Sequence, residues 1–270
     1  MTGTPRHLYQ FPLSLYCEKT TWNLEAKGIA YTAVNLIPGP HMLTAWRLAS
    51  IRTLPVLLDG NVAVGDSTDI ALYLEKTYPS PSLLPSNPEQ REAVLSLEQY
   101  FDDIGDHVRR CVWSLAVDSP RVNEIFFRGY ATRHPVLERL LRPVLRQMIR
   151  RTFDVRPARV TESWRQVMNA LERIEQRIKE NAGGYLVGSS FTLADLTAAA
   201  MLAPLIGPEE SPWPDHHVTD GNADQRKLFR NRPAGEWVLR MYQQHRHAGR
   251  HADRHSSAQA LRQEASAATP

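Results

Sequence analysis

Length, charge and cysteine content exclude several classes of protein. The chain has 270 residues, with 32 Lys plus Arg against 29 Asp plus Glu, which gives a formal net charge of +3. So slight an excess of base, with no finger, basic-zipper or RNA-binding motif, argues against a nucleic-acid partner. Cys17 and Cys111 are too few for a disulfide framework or a metal quartet, and they suit a reducing compartment. Because neither a signal peptide nor a run of about 18 apolar residues occurs, we expect a cytoplasmic protein with no membrane partner.

The first part of the chain predicts a small α/β domain. Four stretches rich in aromatic and β-branched residues predict strands: 7–11, 29–37, 55–59 and 61–65. A helix that starts near Ser14, a good cap residue, and stops at Gly28 joins the first two strands. A tight turn at 60–61 joins the last two, and a helix capped by Ser67 follows. We assign this domain to residues 1–80.

After the proline-rich stretch 79–88, which predicts a linker, the apolar pattern changes its period. Apolar residues recur at gaps of three and four, which predicts two long amphipathic helices. The first has Asn87 as its cap and the second ends at the glycines 183–184. Thr192 and Asp195 then have capping-box spacing ahead of an alanine-rich run, which predicts a buried helix.

The rest of the chain carries weaker signals. Residues 121–156 are arginine-rich and are predicted to be helical in places, with Pro143 among the residues that break the helix. We assign residues 88–245 to an all-helical domain. Residues 246–270 hold almost no large apolar residue and predict a disordered tail. The histidines of that tail predict a solvated segment, and we expect no metal site.

Four stretches in a specific order and spacing resemble the cytosolic glutathione transferases. They are FPLSLYCEKTTWNLEAKG at 11–28, TLPVLLDG at 53–60, GDSTDIALYLEKTYP at 65–79 and YLVGSSFTLADL at 185–196. The resemblance implies an N-terminal thioredoxin-like domain that binds glutathione as co-substrate and a C-terminal all-helical domain that forms the electrophile site. It also implies a homodimer that adds the glutathione thiolate to a small apolar electrophile in detoxification.

Ser14 is the residue expected to activate the thiol. A free thiol has a pKa of about 8.5, so most of it is protonated near neutral pH. Ser14 lies where the first strand gives way to the first helix, so its hydroxyl and the N–H groups of the helix end can stabilise a thiolate. Serine-type classes of the family have their catalytic serine at this position. The alternative is that Ser14 only caps the helix.

Cys17 supports a second hypothesis, because it follows Ser14 by three residues. Glutaredoxin-like relatives have CxxC here, with a first cysteine that attacks a disulfide and a second that resolves it. Cys17 is then either a buried small residue or the nucleophile of a glutathione-dependent thiol oxidoreductase. Tyr9 and Tyr16 are alternative donors to the sulfur, although their positions favour packing. A glutathione-dependent isomerase or lyase, and a non-enzymatic binding protein, also stay open.

The resemblance implies five glutathione-binding residues: Arg52, Leu54, Pro55, Asp66 and Ser67. The family uses a cis-proline at the Pro55 position, so that the residue before it binds the cysteinyl backbone of glutathione. The fork of Arg52 suits the glycyl carboxylate. Asp66 and Ser67, at the start of a helix, suit the amine and the carboxylate of the γ-glutamyl group. A solvated arginine and a plain helix cap are the structural alternatives.

The second substrate is expected to lie against apolar side chains from two places in the sequence. Phe11 and Leu13 belong to the loop after the first strand, and His107 and Trp113 to the first long helix of the second domain. Aromatic residues in both places favour an apolar electrophile. For the residues on the helix, core packing or solvation is the alternative.

Overall fold

The computed structural model describes residues 5–36, 39–118, 135–214 and 220–246. These residues form two compact units. The first unit comprises the residues up to Leu84 together with those from His245 onward. The second unit comprises Pro85 to Gln244. The first unit is mixed α/β and the second is helical, which confirms the predicted fold class.

The first unit is built on a four-stranded mixed sheet. Its described elements are β1 Arg6–Gln10, α1 Leu15–Ala26, β2 Thr32–Asn35, α2 His41–Ala49, β3 Val56–Asp59, β4 Val62–Gly65 and α3 Ser67–Thr77. The strand order is β2-β1-β3-β4, with β1 and β2 parallel and the other pairs antiparallel. A parallel pair needs a crossover, and α1 supplies it. This is the thioredoxin-like arrangement.

Strand alternation gives the sheet two buried faces. Leu8 of β1 pairs with Leu57 of β3, and both pack in one cluster with Leu24 of α1 and Ile70 of α3. The next pair along, Tyr9 and Val56, belongs to a second cluster that also contains Ala45 of α2. Because successive strand residues point to opposite faces, the sheet is covered by helices on both sides.

Two features of this unit differ from the sequence prediction. Strand β2 spans Thr32–Asn35, shorter than the predicted 29–37, because Ile29 and Tyr31 are buried in the core before pairing begins. Helix α2 was not predicted. Its N-cap, Pro40, offers no side-chain cap bond, and three of its apolar residues point to solvent: Met42, Leu43 and Trp46. The large apolar residues of this short helix therefore do not mark its buried face, which is where sequence patterns locate a helix.

The described elements of the second unit are all helices. They are α4 Pro88–Ala116, α5 Pro135–Thr152, α6 Pro157–Glu180, α7 Leu193–Ile206, α8 Asp220–Arg230 and α9 Pro233–His245. All residues of α7 are buried, and this helix packs against α4 and α8. Asn87 caps α4 as predicted, since its side chain accepts a hydrogen bond from the N–H of Gln90 at 3.0 Å.

Two sequence predictions for the helical part and the tail need correction. Pro143 lies inside α5 and does not end it, because a proline inside a helix removes one backbone hydrogen bond and can kink the helix without ending it. Arg246, predicted as the first residue of a disordered tail, is buried and takes part in ion pairs. The remainder of that tail, 247–270, lies outside the described residues. Across the described ranges, no helix combines the length and apolar content needed to cross a bilayer.

Candidate active site

The register of the sheet brings the predicted glutathione residues to one edge. Tyr9, near the end of β1, pairs with Val56 at the start of β3, and Val56 pairs with Gly65 at the end of β4. The loop that follows β1, the segment that precedes β3 and the start of α3 therefore leave the sheet at the same edge. Ser14 and Ser67 are carried on two of these three segments.

Ser14 caps α1 with a weak hydrogen bond. Its backbone is extended, and its Oγ accepts from the N–H of Cys17 at 3.4 Å. Ordinary N–H···O bonds measure about 2.7–3.2 Å, so this one contributes little. The hydroxyl accepts in this bond, and it also lies within hydrogen-bonding reach of the Cys17 thiol. Together with the positive end of α1, the half-buried Ser14 presents a site suited to an anion.

Cys17 is buried and inaccessible to solvent. Its side chain is 1% exposed, and its Sγ accepts from the N–H of Phe11 at 3.4 Å. Burial raises the pKa of the Cys17 thiol to about 11, against the smaller lowering effects of hydrogen bonds from Ser14 and Phe11. A thiol in this state is protonated near neutral pH, and a nucleophile has to be an accessible thiolate.

The segment before β3 has the geometry that the resemblance implies. The Leu54–Pro55 peptide bond is cis. Leu54 is buried and lies outside the paired part of β3, which begins at Val56. Arg52, two residues earlier, is exposed. The main chain of Leu54 thus lies just outside the paired residues of β3. Such an unpaired segment can hydrogen-bond an extended peptide.

Asp66, and not Ser67, is the N-cap of α3, which corrects the sequence prediction. Its Oδ1 accepts from the N–H groups of Thr68 at 2.8 Å and Asp69 at 3.3 Å, whereas Ser67 is already the first residue of the helix. Asp66 has φ 72 and ψ 138, a sparsely populated region for a residue with a side chain. Such strain costs about 1–3 kcal/mol and clusters at functional sites. Ser67 is buried behind the exposed Asp66.

Lys19 is a further residue of this edge, and the sequence prediction left it out of the site because its helical phase faces away from Ser14. It is fully buried, and its Nζ donates to Oγ1 of Thr68 at 2.8 Å. This bond joins the N-terminal parts of α1 and α3, the two helices that start at the candidate site. The sequence does hold a signal for this contact. The helical phase of Lys19 directs its side chain away from Ser14, which indicates that it contacts another element of the fold.

Phe11 and Leu13 both belong to the loop that precedes Ser14. The ring of Phe11 lies 4.7 Å from that of His41 in an edge-to-face arrangement, which sets the loop against α2. Leu13 is 43% exposed. Its role toward a substrate stays a prediction.

His107 and Trp113 belong to the helical unit and contact other residues of that unit. The Nδ1 of His107 is 3.1 Å from Oγ of Ser163, and this Oγ accepts from Nη1 of Arg110 at 2.8 Å. Burial, followed by the charge of Arg110, lowers the pKa of His107. Trp113 stacks on Phe153 with ring centroids 5.2 Å apart. Their role toward a substrate stays a prediction.

Comparisons with known proteins match both parts of the chain. The family model of the glutathione S-transferase N-terminal domain matches residues 8–82, and that of the C-terminal domain matches 157–220. Glutathione S-transferase 1 of Dianthus caryophyllus is 34% identical over 87 residues, which are 31% of this chain and 39% of that protein. Glutathione S-transferase TCHQD of Arabidopsis thaliana is 25% identical over 218 residues, which are 73% of this chain and 76% of that protein.

The likeness extends to solved structures. Glutathione transferase GSTFuA3 of Phanerochaete chrysosporium has a TM-score of 0.60 and 21% identity, over 88% of this chain and 96% of that one. At such identity the likeness speaks for the fold, whereas the two family models speak for descent. Matched on both of its parts, the chain belongs to the glutathione transferase superfamily.

Proposed function

We propose that the chain is a glutathione transferase that stabilises the thiolate of glutathione at Ser14 and adds it to an apolar electrophile. One observation carries this proposal. At the start of α1 the serine hydroxyl is half-buried and only weakly bonded, while the neighbouring Cys17 is shut off from solvent. The hydroxyl donates to the thiolate, and the N–H groups of the helix end add to its stabilisation.

The tripeptide is proposed to lie along the sheet edge. The main chain of Leu54, before Pro55, hydrogen-bonds the cysteinyl backbone, in the manner of a strand added to a sheet. Asp66 takes the γ-glutamyl ammonium, since both of its cap bonds go to Oδ1 and Oδ2 takes part in neither. Ser67 takes the γ-glutamyl carboxylate and Arg52 the glycyl carboxylate.

The wider assignments follow from this site. Residues 1–80 are proposed as the glutathione-binding domain and residues 88–245 as the domain that shapes the electrophile site. The exposed apolar side chain of Leu13 favours an apolar electrophile. A cytoplasmic homodimer that acts in detoxification is the proposed setting.

The thiol oxidoreductase hypothesis is less well supported. Attack by Cys17 on a disulfide needs a thiolate that solvent and substrate can reach. Burial raises the pKa of Cys17 to about 11 and leaves it 1% exposed. We therefore place the chemistry on glutathione and Ser14.

Glutathione should stabilise the wild-type protein against heat. A ligand at a hundred times its Kd adds about 2.7 kcal/mol to the stability of the folded state, which raises the Tm by several degrees. Cysteinylglycine, which lacks the γ-glutamyl group, should raise the Tm far less. The same preparation should conjugate glutathione to a haloaromatic electrophile. No glutathione-dependent rise in Tm and no conjugation would contradict the proposal.

A matched pair of variants tests the placement of the γ-glutamyl group. Asp66→Asn keeps a good cap residue, since asparagine also accepts the helix N–H bonds and tolerates positive φ. It removes the charge, and a hydrogen bond to a charged group is worth about 1.5–3 kcal/mol, so Kd for glutathione should rise about ten- to hundredfold. Asp69→Asn, in the first turn of the same helix, is the control and should leave Kd unchanged. Equal effects of the two variants would remove Asp66 from the site.

A further inference from the structure

A short segment near the end of the described chain lies against one face of α1. Three residues of α1 meet it: Glu18, Trp22 and Glu25. Their spacing of four and three places them on one side of the helix. The Nε1 of Trp22 donates to the carbonyl of His245 at 3.1 Å. His245 and Arg246 belong to the same unit as α1.

Arg246 forms the charged part of this contact. Its Nε and Nη2 donate to Oε1 and Oε2 of Glu18 at 2.9 and 3.2 Å, a bidentate pair, and its Nη1 pairs with Oε2 of Glu25. The side chains of Arg246, Glu18 and Glu25 are 6%, 2% and 13% exposed. Buried charges of this kind persist only when geometry and hydrogen bonds hold them, so the cluster fixes where its members lie.

Glu18 transmits this constraint to the candidate catalytic serine. Its N–H donates to the carbonyl of Ser14 at 2.9 Å, the first hydrogen bond of α1. The side chain of Glu18 is held by Arg246 and its main chain holds Ser14. The bidentate fork restricts both the distance and the orientation of the carboxylate, which a point charge does not.

We propose that Arg246 is a positioning residue for Ser14, acting through Glu18. This inference rests on the proposed function, because it concerns the serine that stabilises the thiolate. Arg246 itself touches no reacting atom. Without the fork, the first turn of α1 shifts, and the Ser14 hydroxyl and the helix N–H groups no longer point at one sulfur. Misplacement by about 1 Å at a reacting centre can cost a hundredfold in rate.

Two substitutions of Arg246 separate positioning from plain stabilisation. Arg246→Lys keeps the positive charge between the two carboxylates but lacks the fork, and Arg246→Met removes both. In each folded variant, the pH–rate profile of conjugation should shift to higher pH, with kcat at pH 7 lowered about ten- to hundredfold, because the bound thiol is a weaker acid. KM for glutathione should change much less than kcat, since the tripeptide contacts other segments. Where Arg246→Met does not fold, Arg246→Lys decides.

Arg232 offers a matched control in the helical unit. Its Nε and Nη2 bind the two carboxylate oxygens of Glu175 at 2.8 and 3.0 Å, the same bidentate geometry. Arg232→Lys and Arg232→Met should lower the Tm and leave the pH–rate profile in place. A wild-type profile in the Arg246 variants, or an equal shift in the Arg232 variants, overturns the inference. A different outcome would contradict the proposed function, on which the inference depends. In that case the wild type itself would be inactive and glutathione would not raise its Tm.

Discussion

Helices α1 and α7 start with similar cap residues and very different hydrogen bonding. At α7, Thr192 and Asp195 are almost completely buried. Asp195 accepts from the N–H of Leu186 at 2.7 Å, the N–H of Thr192 at 2.9 Å and the hydroxyl of Thr192 at 2.7 Å. At α1, Ser14 is half-buried and its hydroxyl accepts a long bond of 3.4 Å from the N–H of Cys17.

The difference separates a cap that stabilises the fold from one that is left to a ligand. A buried polar group that loses its partner costs free energy, so a saturated cap such as Asp195 contributes to folding. A weakly bonded, half-buried cap such as Ser14 contributes little to folding, and its hydroxyl can be turned to another molecule at little cost. Substitutions at the two helix starts should therefore have opposite consequences for stability and for activity.

The largest effect is expected from Asp195→Ala. The change removes three accepted bonds and leaves buried N–H and O–H donors without them, at about 1–3 kcal/mol each and not fully additive. The free energy of unfolding, measured with urea, should fall by at least about 3 kcal/mol. Asn87→Ala, at the exposed cap of α4, is the control and should cost about 1 kcal/mol. Equal losses at the two caps would show that the buried box is no special source of stability.

Ser14→Ala should show the reverse pattern. Stability should fall by about 1 kcal/mol or less, because the lost cap bond is long. The thiolate loses its donor, which raises the pKa of the bound thiol, and such a donor is worth about 2.7–4 kcal/mol. Conjugation near pH 7 should drop by about two orders of magnitude and recover in part as the pH rises. Thermal shift and pH–rate profiles measure the two effects, and a wild-type rate from pH 6 to 9 would remove Ser14 from the mechanism.

Local patterns explain what the sequence predicted about these helix starts. Ser14 follows a strand-like stretch and precedes a helical one, and Thr192 and Asp195 are three residues apart, so both caps are encoded by near neighbours. The strand that follows Pro55 is encoded in the same way. Sequence alone does not show how strong the hydrogen bond of each helix cap is. That depends on burial, which comes from packing of distant segments.

Other features depend on contacts between residues far apart. Arg246 and Glu18 are 228 positions apart, so no local pattern pairs them. The same limit applies to the bond between Lys19 and Thr68, which lie 49 positions apart. The cap of α3 was misassigned to Ser67, because two adjacent residues, Asp66 and Ser67, are both good caps and only the backbone angles separate them.

The smallest effect on activity is expected from Cys17→Ser, three residues from Ser14. The buried thiol is protonated near neutral pH, so conjugation should stay within about twofold of the wild type, and the disulfide-exchange hypothesis predicts instead the loss of mixed-disulfide reduction. A hydroxyl at this buried position costs about 1–3 kcal/mol of stability.

Alkaline pH gives this variant a second readout. Burial raises the pKa of Cys17 from 9.0 to about 11 in the folded protein, so the unfolded chain releases its proton first. The stability that comes from keeping the thiol protonated is complete below pH 9 and is lost as the pH rises toward 11, by up to about 3 kcal/mol. The wild type should therefore lose its stability advantage over Cys17→Ser across this interval, as urea denaturation at several pH values measures. A constant difference between the two proteins from pH 8 to 11 would mean that Cys17 is accessible to hydroxide in the folded state, and the case against Cys17 as the nucleophile would fail with it.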